Sequence, residues 1–169
     1  MGGSLIANIE STLKNLIENI GPSGGYHYDW NNVSFGVVSP EETAFSAAPA
    51  FPSAHIVLIE EKNIDEPDTE NAAGPSGAFS GAYYNVMTYM ISIGGNSSVS
   101  PPDRRAGLLN ALDDLKKLFG VNYTLKNSGA SAVMYKGFEF ANGASLTIDS
   151  YWTIRYYQSR TEPDKVAEA

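Results

Sequence analysis

The sequence predicts an α+β domain: a mainly antiparallel β-sheet with two amphipathic helices packed on one face. Three observations carry that expectation. Two segments hold apolar residues at helical spacing, one at the start of the chain and one after residue 100. Between and after them lie several segments rich in aromatic and β-branched residues. Helices do not alternate one for one with strands, so a doubly wound parallel sheet does not fit.

The first helix is read from Leu5, Ile6, Ile9, Leu13, Leu16, Ile17 and Ile20, with Ser4 as N-cap, a Glu10–Lys14 pair and Gly21-Pro22 as the stop. Residues 26–30 and 33–38 alternate and read as strands, with Asn31-Asn32 turning between them. Residues 39–53 hold three prolines and many alanines and read as an irregular connection. Residues 54–61 read as a core strand. Residues 60–81 lose all periodicity and form an acidic loop insertion. Residues 82–93 read as one strand, which at ~3.3 Å per residue is about 40 Å long.

Residues 94–99 make a polar turn. The second helix opens at Ser100-Pro101-Pro102-Asp103, a Ser cap with Pro at the first position and an acid three residues on. Its stripe is Leu108, Leu112, Leu115 and Phe119, its stop is Gly120, and Asp113-Asp114 reads as a pair facing water. Residues 121–125 read as a short strand. Residues 131–140 and 144–158 read as two long strands joined at Asn142-Gly143, a hairpin signal. The domain then covers residues 1–158, with a polar tail at 159–169.

Composition narrows the function. The 169 residues are 43% hydrophobic, enough for a core, and only 18% charged. A net charge of −8 argues against a sequence-independent grip on nucleic acid, which needs clustered Lys and Arg. The absence of cysteine removes disulfides, thiolate catalysis and cysteine zinc sites, and two histidines leave little for a His-rich metal centre. No run of 18 apolar residues is present, so no membrane partner is expected. Met1-Gly2-Gly3-Ser4 has no basic start or apolar signal core, which predicts no secretory route; the three Asn-x-Ser/Thr matches are then chance.

Few motifs suggest chemistry. Gly21-Pro22-Ser23-Gly24-Gly25 has the letters of a nucleophile elbow, but a helix precedes it and a strand follows, the reverse of what exposes that serine. His27 and Asp29, two apart, could share a strand face as base and orienter, which leaves a small hydrolase using Ser23 and His27 as a lesser alternative. Acids Glu60, Glu61, Asp65, Glu66, Asp68 and Glu70 lack the EF-hand glycine and spacing; they read as a solvated loop that repels DNA or meets a partner. No phosphate loop or dinucleotide fingerprint occurs. No catalytic residue, cofactor or metal is assigned, and the chain is read as not an enzyme.

The long strand 82–93 carries apolar and aromatic side chains on both faces: Tyr83, Met87, Tyr89, Ile91 and Ile93 on one, Tyr84, Val86 and Met90 on the other. The helices cover one face; the second predicts self-association. A carbohydrate or other small ligand on the aromatic sheet is a further alternative.

The order of parts resembles the tail terminator (tail completion) proteins of long-tailed bacteriophages. The resemblance runs through the opening helix at 5–20, the aromatic segments at 26–38, the strand 52–59, the long strand 82–93, the helix around Arg105-Ala106-Gly107-Leu108-Leu109 and the closing strand 146–157 followed by Arg160-Thr161-Glu162-Pro163. The acidic insertion at 60–81 departs from it. The resemblance implies a structural virion protein, assembled in the host cytoplasm. It would form a ring, usually a hexamer, at the head-proximal end of the tail tube. That ring stops tube growth and joins the tube protein to the head connector or neck protein. DNA passes through the lumen without specific binding. A tail tube or neck (head-tail joining) subunit is the alternative. The expected interface comprises Tyr84, Val86, Thr88, Met90, Tyr156, Tyr157, Arg160 and Pro163, with the acidic loop at the lumen or a partner.

Overall fold

The computed structural model describes residues 4–36, 50–64, 82–96, 101–125, 128–143 and 145–159. The expected connection at 39–49, the Ser100 cap, the acids Asp65, Glu66, Asp68 and Glu70, and the tail residues Arg160 and Pro163 lie outside them. The chain order is α1 (Leu5–Glu18), β1 (Asn32–Gly36), β2 (Ser53–Asn63), β3 (Ala82–Gly94), α2 (Pro101–Val121), β4 (Ala130–Asn142) and β5 (Leu146–Ser159). The strands form one sheet in the order β1-β2-β3-β5-β4. β1 runs parallel to β2, and every other pair is antiparallel. The α+β class expected from the pattern is the fold observed.

Both helices lie on the same side of the sheet. Tyr89 and Trp152 are cross-strand partners and so share a face. The Tyr89 hydroxyl donates to Glu10 Oε1 of α1 at 3.0 Å, and the Trp152 ring meets Phe119 of α2 edge-on at 4.9 Å. Between the layers Leu5, Ile9, Leu13 and Ile17 of α1 and Leu108, Leu112, Leu115 and Phe119 of α2 close over Ile56, Met87, Ile91, Ile93, Ile148 and Ile154 in one core. The 3.6-residue stripe of each helix thus meets the two-residue alternation of β3 and β5.

Helix ends differ in detail from expectation. α1 stops at Glu18, with Asn19 as its cap, rather than at Ile20. Ser4 makes no side-chain cap bond; its carbonyl accepts from Asn8 N at 3.0 Å. Lys14 pairs forward with Glu18 at 3.7 Å instead of back to Glu10, because Glu10 is taken by Tyr89. α2 continues through Gly120 to Val121. Its stop is Asn122, whose backbone N and Nδ2 both donate to the Leu118 carbonyl, at 2.9 and 3.0 Å.

Two expected strands are not formed. Residues 26–30 are turns and extended chain after a 3-10 turn at Pro22–Gly24, because their polar groups are claimed by a helix instead of a neighbouring strand. His27 N, Tyr28 N and Trp30 Nε1 donate to the Asp114 carboxylate at 2.8, 3.1 and 3.1 Å. Asp114 is therefore buried, at 2% exposure, and does not face water with Asp113 as expected. Residues 121–125 are likewise no strand: the segment turns, with Leu125 at φ 49°, and one sheet-like bond remains, from Val133 N to Tyr123 O at 2.8 Å.

Candidate functional site: the second face and the edges of the sheet

The alternation of β3 separates its side chains cleanly. Met87, Tyr89, Ile91 and Ile93 go to the core, while Tyr84, Val86, Thr88 and Met90 share the opposite, partly exposed face. Tyr157, Arg155, Thr153 and Tyr151 of β5 pair across from those four, in that order, and extend the face. The structure therefore brings Tyr84, Val86, Thr88, Met90 and Tyr157 together. Tyr156 does not join them. Its parity in β5 places it on the helix side, fully buried, with Glu61 and Asn85 beside its hydroxyl. Burial first, and then the nearby Glu61 carboxylate, hold that phenol above its ordinary range.

The second face is less greasy than its composition suggests, because its polar groups are matched. Tyr84 and Tyr157 stack at 4.6 Å, and Arg155 Nη1 donates to the Tyr84 hydroxyl at 3.2 Å. Ser92 Oγ donates to Asp149 Oδ1 at 2.6 Å, and Ser34 Oγ lies 2.9 Å from His55 Nδ1. Tyr151 donates to Glu139 Oε1 at 2.6 Å; that bond, followed by burial, pushes its pKa up to about 12. Cross-strand pairs of this kind stiffen a sheet face and leave a flat, amphipathic surface.

The larger exposed apolar side chains stand at the margins. β1 covers β2 only along residues 53–57, so among the described residues the outer side of residues 58–62 has no strand partner. Leu58 and Ile59 there are 36% and 44% exposed, with a bulge at Ile59. On the far side of the sheet β4 is the other edge, with Met134 and Phe138 about 40% exposed and bulges at Ser131 and Lys136. Bulges and charged side chains are what keep such edges from pairing indiscriminately.

The described part of the acidic segment is strand, not loop. Glu60 and Glu61 belong to β2 and point to opposite faces: Glu60 pairs with Lys62 at 3.4 Å, whereas Glu61 acts on Tyr89 and Tyr156 on the helix side. Ser23 and His27 are both exposed, and no hydrogen bond among the described residues joins Ser23 to His27 or His27 to Asp29. No group of three His, Asp or Glu among the described residues is arranged to hold a metal ion. No described helix is long and apolar enough to cross a membrane.

Sequence reading missed two buried charges, Asp114 and Arg104. The Arg104 guanidinium donates to Leu146 O at 2.8 Å and Gly95 O at 3.0 Å and ties the start of α2 to the end of β3 and the start of β5. The signal was present: Arg104 is four residues before Leu108, and Asp114 lies three after Ala111 and four before Leu118, both within the buried stripe.

The fold is an α+β domain with one sheet face covered by the helices and the other partly exposed. No protein-family model matches the chain, and no curated protein matches it.

Proposed function

We propose that this chain is a structural virion protein that closes the tail tube of a long-tailed phage. Copies would join head to tail into a ring at the head-proximal end, with the tube protein on one side and the head connector or neck protein on the other. The observation that carries this reading is a pair of unlike edges, each partly open among the described residues of one sheet, with the Val133 N to Tyr123 O bond the single sheet-like bond on the outer side of β4. β4 ends the strand order on one side; on the other β1 ends it but stops at Val57 of its neighbour, which leaves residues 58–62 of β2 as a local edge, and each of these two margins exposes apolar side chains. One patch meeting a different patch on the next copy is a heterologous contact, and such contacts make rings when the rotation closes. Strand addition supplies main-chain hydrogen bonds, and the apolar side chains at each edge supply buried area. The net charge of −8 suits a passage from which DNA must slide freely.

The test uses two variants, Ile59→Lys on the β2 edge and Met134→Lys on the β4 edge. Wild type should give rings by light scattering and negative-stain microscopy, alone or once tail tubes are added. Each variant should be monomeric with little change in melting temperature, since both sites are exposed. Mixed together, the two variants should form a dimer and stop, because each retains one competent edge. Wild-type protein that stays monomeric with tubes present overturns the proposal. Open-ended tubes from wild type alone would assign the chain to the tube instead.

A further inference from the structure

The two helices leave a cavity of about 400 Å³ between their C-terminal ends, within the usual range of small-molecule sites. Its floor is apolar, from Leu16 and Leu118. Its rim carries three amides, Asn15, Asn19 and Asn122, with the Thr12 hydroxyl. None of the residues lining it is charged at neutral pH. Tyr26 forms one wall, and its phenol is held above its ordinary range by burial and by the Asp114 charge.

The polar groups are already oriented. Asn19 Nδ2 donates to Asn15 O at 2.6 Å and Asn122 Nδ2 to Leu118 O at 3.0 Å, which leaves both Oδ1 atoms as acceptors. Thr12 Oγ1 donates to Asn8 O at 3.0 Å and keeps its lone pairs. The Tyr26 ring is fixed from its own side: Lys117 Nζ lies 4.6 Å from the ring centroid and donates to Gly25 O at 2.8 Å. The Asp114 clamp on His27 and Tyr28 holds the same segment against α2.

An uncharged cavity with a wall of aromatic ring, an apolar floor and a rim of acceptors selects a neutral ligand that has hydroxyl donors and a C–H face. Ammonium groups are disfavoured by Lys117 beside Tyr26; an anion would meet no charged lining residue, and Lys117 Nζ is held by the Gly25 carbonyl. We infer that this cavity binds a pyranose ring, its C–H face on Tyr26 and its hydroxyls on Asn19, Asn122 and Asn15. The inference is independent of ring formation, so the two fail separately.

The experiment is titration of ¹⁵N-labelled protein with methyl α-glucopyranoside, methyl β-galactopyranoside and methyl N-acetyl-β-glucosaminide, with n-butylammonium and inorganic phosphate as controls. At least one glycoside should move the resonances of Asn15, Asn19, Tyr26 and Asn122 saturably. Asn19→Lys, which fills the rim from an exposed helix cap and suits the helix dipole, should weaken that binding about tenfold or more while the protein melts no lower. A tetrasaccharide of the same sugar binding much tighter than the monoside assigns the site to a surface polysaccharide; equal affinity assigns it to a free sugar. No response to any glycoside up to about 50 mM, or a stronger response to either charged control, overturns the inference.

Discussion

Asp114 is the side chain on which the most local structure depends. A buried carboxylate accepting two backbone N–H groups and an indole N–H orders residues 27–30 against α2 without any strand pairing. Its removal leaves three donors without their acceptor; the buried Trp30 indole N–H bears the full cost of about 1–3 kcal/mol, and the part-buried His27 and Tyr28 N–H groups bear less because water reaches them. Asp114→Ala should therefore lower stability by about 2–4 kcal/mol in urea unfolding, a large share of the ~5–15 kcal/mol a domain has. Asp114→Asn, which keeps one acceptor, should lose less. Tyr151 gives a pH signature. Its pKa is about 12 in the folded protein against ~10 for a free tyrosine, so folding favours its protonated form. The contribution of the Tyr151–Glu139 bond is complete below pH ~10 and disappears as pH rises through about 12. Phenolate absorbance should show, among the tyrosines that titrate late, a component near that value that is lost in Tyr151→Phe.

Strands and helices here carry different kinds of sequence signal. β3 and β5 pair across twelve registered positions and were readable from alternation alone, as was the Asn142-Gly143 hairpin. β4 bulges at Lys136 against β5, and Gly137 beside the bulge takes φ 139°. A Cβ there meets nothing within 4 Å, so Gly137→Ala tests backbone strain alone. It should cost about 1–3 kcal/mol in denaturant unfolding. Gly120, inside α2 with equally open space, should show the opposite sign: Gly120→Ala should stabilise by about 0.5–1 kcal/mol. The glycine that reads as a helix stop is in fact a weak point within the helix, and the stop is made by Asn122 one turn from Leu118.

As a whole, the molecule is a two-layer body with one covered sheet face, one paired but partly exposed face, and two unlike edges. Copies carrying a charge of −8 repel one another, so any association through the edges works against that repulsion. Salt shortens the reach of the repulsion to ~10 Å at 0.1 M and ~3 Å at 1 M while leaving apolar contact intact. Ring formation by wild type should accordingly strengthen with ionic strength in sedimentation or light scattering, and a polar, ion-pair interface would show the reverse.

The amino-acid pattern by itself determined the α+β class, the two helices, the long antiparallel strands and the division of β3 into two faces. Each of these follows from local periodicity, which is a property of neighbours along the chain. It also put Tyr84, Val86 and Met90 on one face of β3 and named Thr88, Tyr156 and Tyr157 with them as one interface; the β3–β5 register joins Thr88 and Tyr157 to that face and leaves out Tyr156, whose parity is that of Trp152 and Ile154. Only the tertiary structure decided that residues 26–30 bend to Asp114 instead of pairing, that Glu10 serves Tyr89, and that Glu60 and Glu61 face opposite ways. Those outcomes depend on which distant groups compete for a donor or acceptor once water is excluded. Partners 79 to 87 residues apart leave no periodic trace in the chain.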